Sequence, residues 1–353
     1  MTHIEGIFRL SSPLHCAMPV SDDKANRTRT MVQPVVTSRG ITSVPYFPAN
    51  DVRGRLRRCA ADFVIAALAR RGETITADLF VAMSSGSPLG VIENVTTIEE
   101  IERAREHVYM GLFGGGGRML RSRFMASDLM PVLGSTIEAG TVPAGYGEEP
   151  FGFVPKAWAN GGKEQVNADG RSLIKTFWYT RIDDLMRITR QNSVLAIVAD
   201  PLESVAAYQA RSATTRKAKA SAADTDEGDK PPQRADASMI FEIEAIATGT
   251  PLYGRFDFAP DTTEAQIGFF LLCLHSLVRK QSLGGKGAGG FGRYVADLRL
   301  HHAGQTMPVF TQPGAHDAEL SNSVKDLVAA GHAGIASFDL AGLRSFFEPS
   351  KSE

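Results

Sequence analysis

The residues best suited to chemistry lie in Leu283-Gly284-Gly285-Lys286-Gly287-Ala288-Gly289-Gly290-Phe291-Gly292-Arg293-Tyr294, where six of twelve are glycine. Glycine reaches positive φ without steric cost and lets another backbone come close. Free N–H groups in such a turn form a concavity for an anion. With Lys286 and Arg293 beside them, the anion they suit is a phosphate. Gly285, Gly287 and Gly290 spell G-x-G-x-x-G, but a dinucleotide loop follows a strand and opens a helix. Here the order is reversed. The apolar run Ala265 to Val278, ending in Arg279-Lys280, is spaced like a buried helix, and Tyr294 to Leu300 alternates like a strand. The Gly-Lys-Ser/Thr of a nucleotide-triphosphate loop is absent as well. No cofactor is therefore expected.

A second cationic group follows Val44-Pro45-Tyr46-Phe47-Pro48-Ala49. Asn50 or Asp51 can cap a helix there. Val52, Leu56, Cys59, Phe63 and Ala67 then fall on one apolar face. Arg53 and Arg57 share another face, with Arg55 and Arg58 nearby. Four arginines in two turns oppose the helix dipole. A bound anion, held by free N–H groups and guanidinium forks, would relieve that conflict. A third group runs from Gly111 to Asp128: a glycine loop, then a strand on which Arg121 and Arg123 alternate onto one face. With Arg118 it carries a local charge of +3 before Asp128.

The elements that must hold these groups are legible in outline. Ile4 to Leu10 reads as a first strand, and a polar loop with Asp22 and Asp23 follows. That pair could bind a metal or act as a general base, although adjacent loop aspartates are ordinarily solvated; no metal site is expected. Ala77 to Met83 and Ile98 to Met110 read as helices, and Thr136 to Gly147 as loop. Lys175 to Arg181 mixes aromatics with cations in a way that could stack bases. Strand-like Val194–Val198 and Met239–Ile246 flank a low-complexity stretch, Tyr208 to Asp236, expected to be a mobile, exposed insertion. Arg211, Arg216, Lys217 and Lys219 cluster at its entry. Leu252 to Phe258 reads as a strand, and the tail has apolar helices near Val324–Ala329 and Leu340–Phe347.

Bulk properties bound the function. The chain has 353 residues, 43% hydrophobic and 22% charged, with a net charge of −1. Any polyanion site must therefore arise from local clustering. Cys16, Cys59 and Cys273 lack metal spacing and read as buried thiols in a reducing cytoplasm. No secretory signal is visible at Met1 to Glu5. The longest apolar run, Ile267 to Leu274, is too short to span a bilayer.

The three arginine-bearing motifs, in the order Phe47 to Arg57, Leu112-Phe113-Gly114 with Arg121 to Asp128, and Leu283 to Tyr294, resemble the RAMP superfamily of CRISPR systems. The chain looks like the Cas-seven family, the backbone subunit of Class 1 effector complexes, in the type IV branch. The resemblance covers most of Met1 to Leu300. It implies an α+β fold: a ferredoxin-like, RRM-type palm spanning residues 1–353, with large insertions. These would be helical fingers at about 60–180 and a β-hairpin thumb at 208–250, before a helical tail at 301–353. It implies copies lined up along a guide RNA, a target nucleic acid (DNA rather than RNA), other effector subunits and a separate helicase as partners. Type III members of the family cut target RNA from the loop where Asp22 and Asp23 lie. The local sequence departs from that loop's glycine-rich pattern, so a non-enzymatic subunit is expected, with a metal-dependent endoribonuclease as the alternative.

Overall fold

The computed structural model describes residues 1–18, 27–86, 97–115, 120–147, 173–180, 240–280, 282–312 and 317–347. In chain order the strands and helices are β1 His3–Leu10, β2 Arg27–Thr28, β3 Val32–Thr37, β4 Gly40–Pro45, α1 Ala49–Arg70, α2 Ala77–Ser85, α3 Ile98–Glu106 and α4 Val108–Phe113. Then come β5 Phe124–Ala126, β6 Met130–Pro131, α5 Gly134–Glu138, β7 Ile174–Thr180, β8 Ile240–Ile246 and β9 Pro251–Phe258. The last are α6 Glu264–Lys280, β10 Tyr294–His302, β11 Gln305–Pro308, α7 Lys325–Ala336 and α8 Leu340–Phe347. The chain is a mixed α+β protein. It divides into two compact units: Met1–Val20, Arg29–Lys175 and Glu244–Glu353 form the larger, and Ser21–Thr28 with Thr176–Ile243 form the smaller.

The larger unit is built on an antiparallel sheet of order β11-β10-β1-β9-β5, with β6 also paired to β9. β1 lies between β10 and β9, and His3 faces His301 on one side and Asp257 on the other. Alternation along β1 sends Ile4, Phe8 and Leu10 to one face and His3, Glu5 and Ile7 to the other. The first face joins Leu56, Phe256, Phe269, Phe270, Tyr294 and Leu298 in the main core. α6 is apolar all round, which marks a core helix: its residues from Gln266 to Leu274 are all buried. It crosses α7 where two glycines meet. A Cβ on Gly268 would stand 1.7 Å from the Leu327 carbonyl oxygen, so no larger residue fits that crossing. On the opposite face, Ile7 and Tyr253 pack with Val35 and Val44 of the β3–β4 hairpin and with Met130 and Val132 in a second, smaller core.

Several boundaries differ from the sequence reading. The helix expected over Ile98 to Met110 breaks at His107, whose extended backbone (φ −62°, ψ 129°) separates α3 from α4. Its ring replaces the missing cap: Nδ1 accepts from the N–H groups of Tyr109 and Met110. The segment expected to be a loop from Thr136 contains α5 and a short 3-10 turn at Ala144–Gly147. The tail after residue 301 is not helical throughout, because β10 continues to His302 and turns back as β11. Both tail helices expected from apolar spacing are present as α7 and α8.

In the smaller unit the described residues belong to a three-stranded sheet of order β2-β8-β7, with β2 parallel to β8. Trp178 on β7 is exposed. The thumb tip with Arg211, Arg216, Lys217 and Lys219, the strand expected at Val194–Val198, and Asp22 and Asp23 lie outside the described residues. Among the described residues, no helix is long and apolar enough to cross a membrane. Cys16, Cys59 and Cys273 are buried free thiols, as their scattered spacing suggested.

Candidate nucleic-acid interface

The first two turns of α1 touch both other arginine motifs. Residues that share an apolar face in the sequence do turn inward: Val52, Leu56, Cys59 and Ala67 are buried. The arginines on the remaining faces reach different elements. Arg55 donates to the Ser282 carbonyl at 2.8 Å and to the Gly284 carbonyl, holding the glycine loop against the helix. Arg57 donates to the carbonyls of Phe113 and Gly114 at 2.7 and 3.1 Å, and its guanidinium lies over the Phe113 ring. These oxygens sit at the C-terminus of α4, where a cation offsets orphan carbonyls. Arg53 lies over the Phe124 ring, 5.7 Å from its centroid.

The N-terminus of α1 is occupied by the protein's own acids, and this corrects the expected cap. The helix begins at Ala49 behind Pro48, and neither Asn50 nor Asp51 caps it. Asp128 instead accepts from the Ala49 N–H at 2.8 Å. Asp51 stands in the first turn and accepts from the Cys16 thiol at 3.3 Å. Burial and that carboxylate push the Cys16 thiol up to about 12, so it stays protonated. An anion is therefore not required to relieve the dipole. The cations face sideways from the helix instead.

The arginines divide by what they touch. Arg55 and Arg57 are engaged with carbonyls. Arg123 donates to Gln266 Oε1 at 2.8 Å and pairs with Asp261 at 3.0 Å. Arg121 and Arg123 do not alternate along a strand, because β5 begins only at Phe124. Arg53 differs from these three. It is half-buried, its Nε has no partner, and it meets no acid among the described residues. Burial, and then Arg57, lower its pKa. A sequestered cation without a counter-charge is costly unless an anion arrives. Arg58, Arg121 and Arg293 are exposed and make no ion pair among the described residues. Asn50 is exposed in the first turn of α1, and Arg118 lies outside the described residues.

The glycine loop is a built turn with most of its amides directed inward. Gly285 donates to the His15 carbonyl, Leu283 to Gly292, and Gly292 to Pro13. Gly289, Gly290 and Phe291 donate to carbonyls of the loop itself. Gly292, at φ +76°, could carry no side chain, because a Cβ would fall 1.9 Å from the Leu283 carbonyl oxygen. The glycines thus serve the turn's shape more than an amide nest. What the turn presents outward is Lys286, itself at φ +65°, with Gly287, and Arg293 at its exit.

Sequence reasoning missed that Asp128 meets the N-terminus of α1 and that Asp261 pairs with Arg123. It also missed a polar cluster of His3, Glu5, Arg255, Asp257 and His301 on the sheet's other face. Alternation in β1 hints at His3 and Glu5, but only the register of β1 on β10 brings His301 to them.

No protein-family model matches the sequence, and no curated protein matches it. Among solved structures, a chain of a type IV-B CRISPR complex is similar, with 15% identity, a TM-score of 0.46, and coverage of 89% of this chain and 96% of that one.

Proposed function

We propose that this protein is a non-enzymatic guide-RNA-binding backbone subunit of a Class 1 CRISPR effector complex, Cas-seven-like and of the type IV branch. The observation that carries the reading is the convergence of three sequence-distant arginine motifs on the first two turns of α1. Arg55 ties the glycine loop to the helix, and Arg57 ties the Phe113–Gly114 turn to it. Arg53, Arg58, Arg121, Lys286 and Arg293 then meet guide phosphates, while Arg55, Arg57 and Arg123 hold the surface in shape. Phosphate contacts supply affinity without reading sequence, as a subunit that must hold any spacer requires. Recognition is left to pairing between guide and target. The strand order supports a palm of the ferredoxin type. β1, α1, β5, β9, α6 and β10 follow the chain order β-α-β-β-α-β, and their strands lie side by side as β10-β1-β9-β5. That order is the one expected of a split βαβ palm, which supports the reading.

In this reading copies stack head to tail along the guide, and a heterologous contact that does not close yields an open filament. Target DNA, end subunits and a helicase complete the assembly. The test is to purify the chain from cells expressing a guide, extract the bound nucleic acid, digest it with RNase or DNase and sequence it. RNase-sensitive guide RNA in open assemblies is expected. A nucleic-acid-free monomer overturns the reading.

A further inference from the structure

The sheet face turned away from α1 and α6 carries chemistry that RNA binding leaves unused. His3 and Glu5 project from the same side of β1, and His301 is the direct cross-strand partner of His3. The two imidazoles stack, with centroids 4.3 Å apart and planes 11° from parallel. Nε2 of His301 lies 3.7 Å from Glu5 Oε1, and Nε2 of His3 lies 4.0 Å from Glu5 Oε2. The side chains of His3, Glu5 and His301 are only 17%, 15% and 29% exposed.

Those distances are too long for hydrogen bonds. They are close to the separation of donors that share one ion. Ligands about 2.0–2.2 Å from a tetrahedral zinc ion stand roughly 3.4 Å apart. One donor atom from each of the three side chains lies within 4.8 Å of the other two. Neither nitrogen of His3 makes a hydrogen bond among the described residues, and its Nδ1 is buried without a partner. Nδ1 of His301 is 2.9 Å from Thr306 Oγ1. When that nitrogen donates, Nε2 is the nitrogen that carries the free lone pair. The carboxylate is held in turn: its Oε2 accepts from the Tyr253 hydroxyl at 2.7 Å and from Arg255 Nη1 at 3.0 Å. Such outer partners orient metal ligands. Arg255 divides its charge between Glu5 and Asp257, which pairs with it at 2.8 Å, and Arg299 is the cross-strand neighbour of Glu5 on β10.

We propose that His3, Glu5 and His301 form a binding site for a divalent first-row transition ion of the zinc class, linking β1 to β10. Two imidazoles and one carboxylate suit zinc, whereas magnesium and calcium take oxygen ligands. Three protein ligands leave one position for water or an incoming ligand. The proposal is independent of RNA binding, since no residue of the arginine surface takes part.

The test uses the full chain, stripped with chelator and dialysed against Zn²⁺. One ion per chain is expected, with affinity lowered at least tenfold in His3→Asn and in His301→Asn. Co²⁺ in its place should give visible absorption of a four- or five-coordinate site, which both variants lose. Thr306→Val changes an exposed position, and it should weaken binding by about tenfold without altering the far-UV circular dichroism melt. Absence of stoichiometric binding by the parent overturns the proposal, as does unchanged affinity in histidine variants that keep the parent's circular dichroism and elution volume. If those variants misfold, unchanged affinity in Thr306→Val overturns it.

Discussion

Arg53, Arg55 and Arg57 are the same residue type within five positions of one helix, yet they do different work. Arg55 and Arg57 spend their donors on carbonyls that fix neighbouring loops, while Arg53 stays half-buried and meets no acid among the described residues. Spacing alone could show that these three cluster with Arg58. It could not show which would be consumed internally, because the carbonyls of Ser282 and Phe113 come close only in the folded chain. Gly54 sharpens the functional expectation. A glycine inside a helix costs about 0.5–1 kcal/mol relative to alanine, and a Cβ on half-buried Gly54 would meet only the Arg58 side chain at an ordinary 3.6 Å. Gly54→Ala should therefore raise the stability of the free protein by about that amount in denaturant melts. It should also weaken guide binding, because it thickens the helix where phosphates approach. Unchanged RNA affinity would show that nothing comes close to this face.

Elements with one strong pattern were legible: β1, α6, β10 and the two tail helices follow directly from apolar spacing. What was not legible depended on side chains acting outside their usual roles. Histidine is not a common cap, so the break between α3 and α4 could not be read from Ile98 to Met110. The same cap makes the junction sensitive to pH. Burial holds His107 neutral, lowering its pKa from 6.5 to about 4, with its Nε2 3.2 Å from the Asp339 carbonyl oxygen. Above 6.5 both folded and unfolded chains leave this ring neutral, and its full contribution is present. Between 6.5 and about 4 only the unfolded chain takes up the proton, so stability falls with pH across that window. Thermal melts over the window should show a steeper decline for the parent than for His107→Asn. Parallel declines would mean that the ring titrates normally in the folded state. The three arginine motifs were visible one by one, but their meeting at α1 depends on tertiary contacts between segments far apart in sequence.

At the scale of the whole molecule, the net charge of −1 does not reveal the cluster of arginines that the described residues gather around α1. α1 gathers it by holding the glycine loop on one side and the end of α4 on the other, while Asp128 accepts from the Ala49 N–H and Asp51 adds a negative charge in the first turn. The central claim is that Arg53, Arg58 and Arg293 grip RNA phosphates without reading bases. Binding of two guide RNAs of unrelated sequence should be measured over a salt series, for the parent and for the Arg53→Ala/Arg58→Ala/Arg293→Ala variant. Each single-strand phosphate contact contributes about 0.7 to the slope of log affinity on log salt, so three losses should lower it by about 2. The account predicts that drop, equal for both guides, with the circular dichroism spectrum unchanged. An unaltered slope, or a loss confined to one of the two guides, would contradict it.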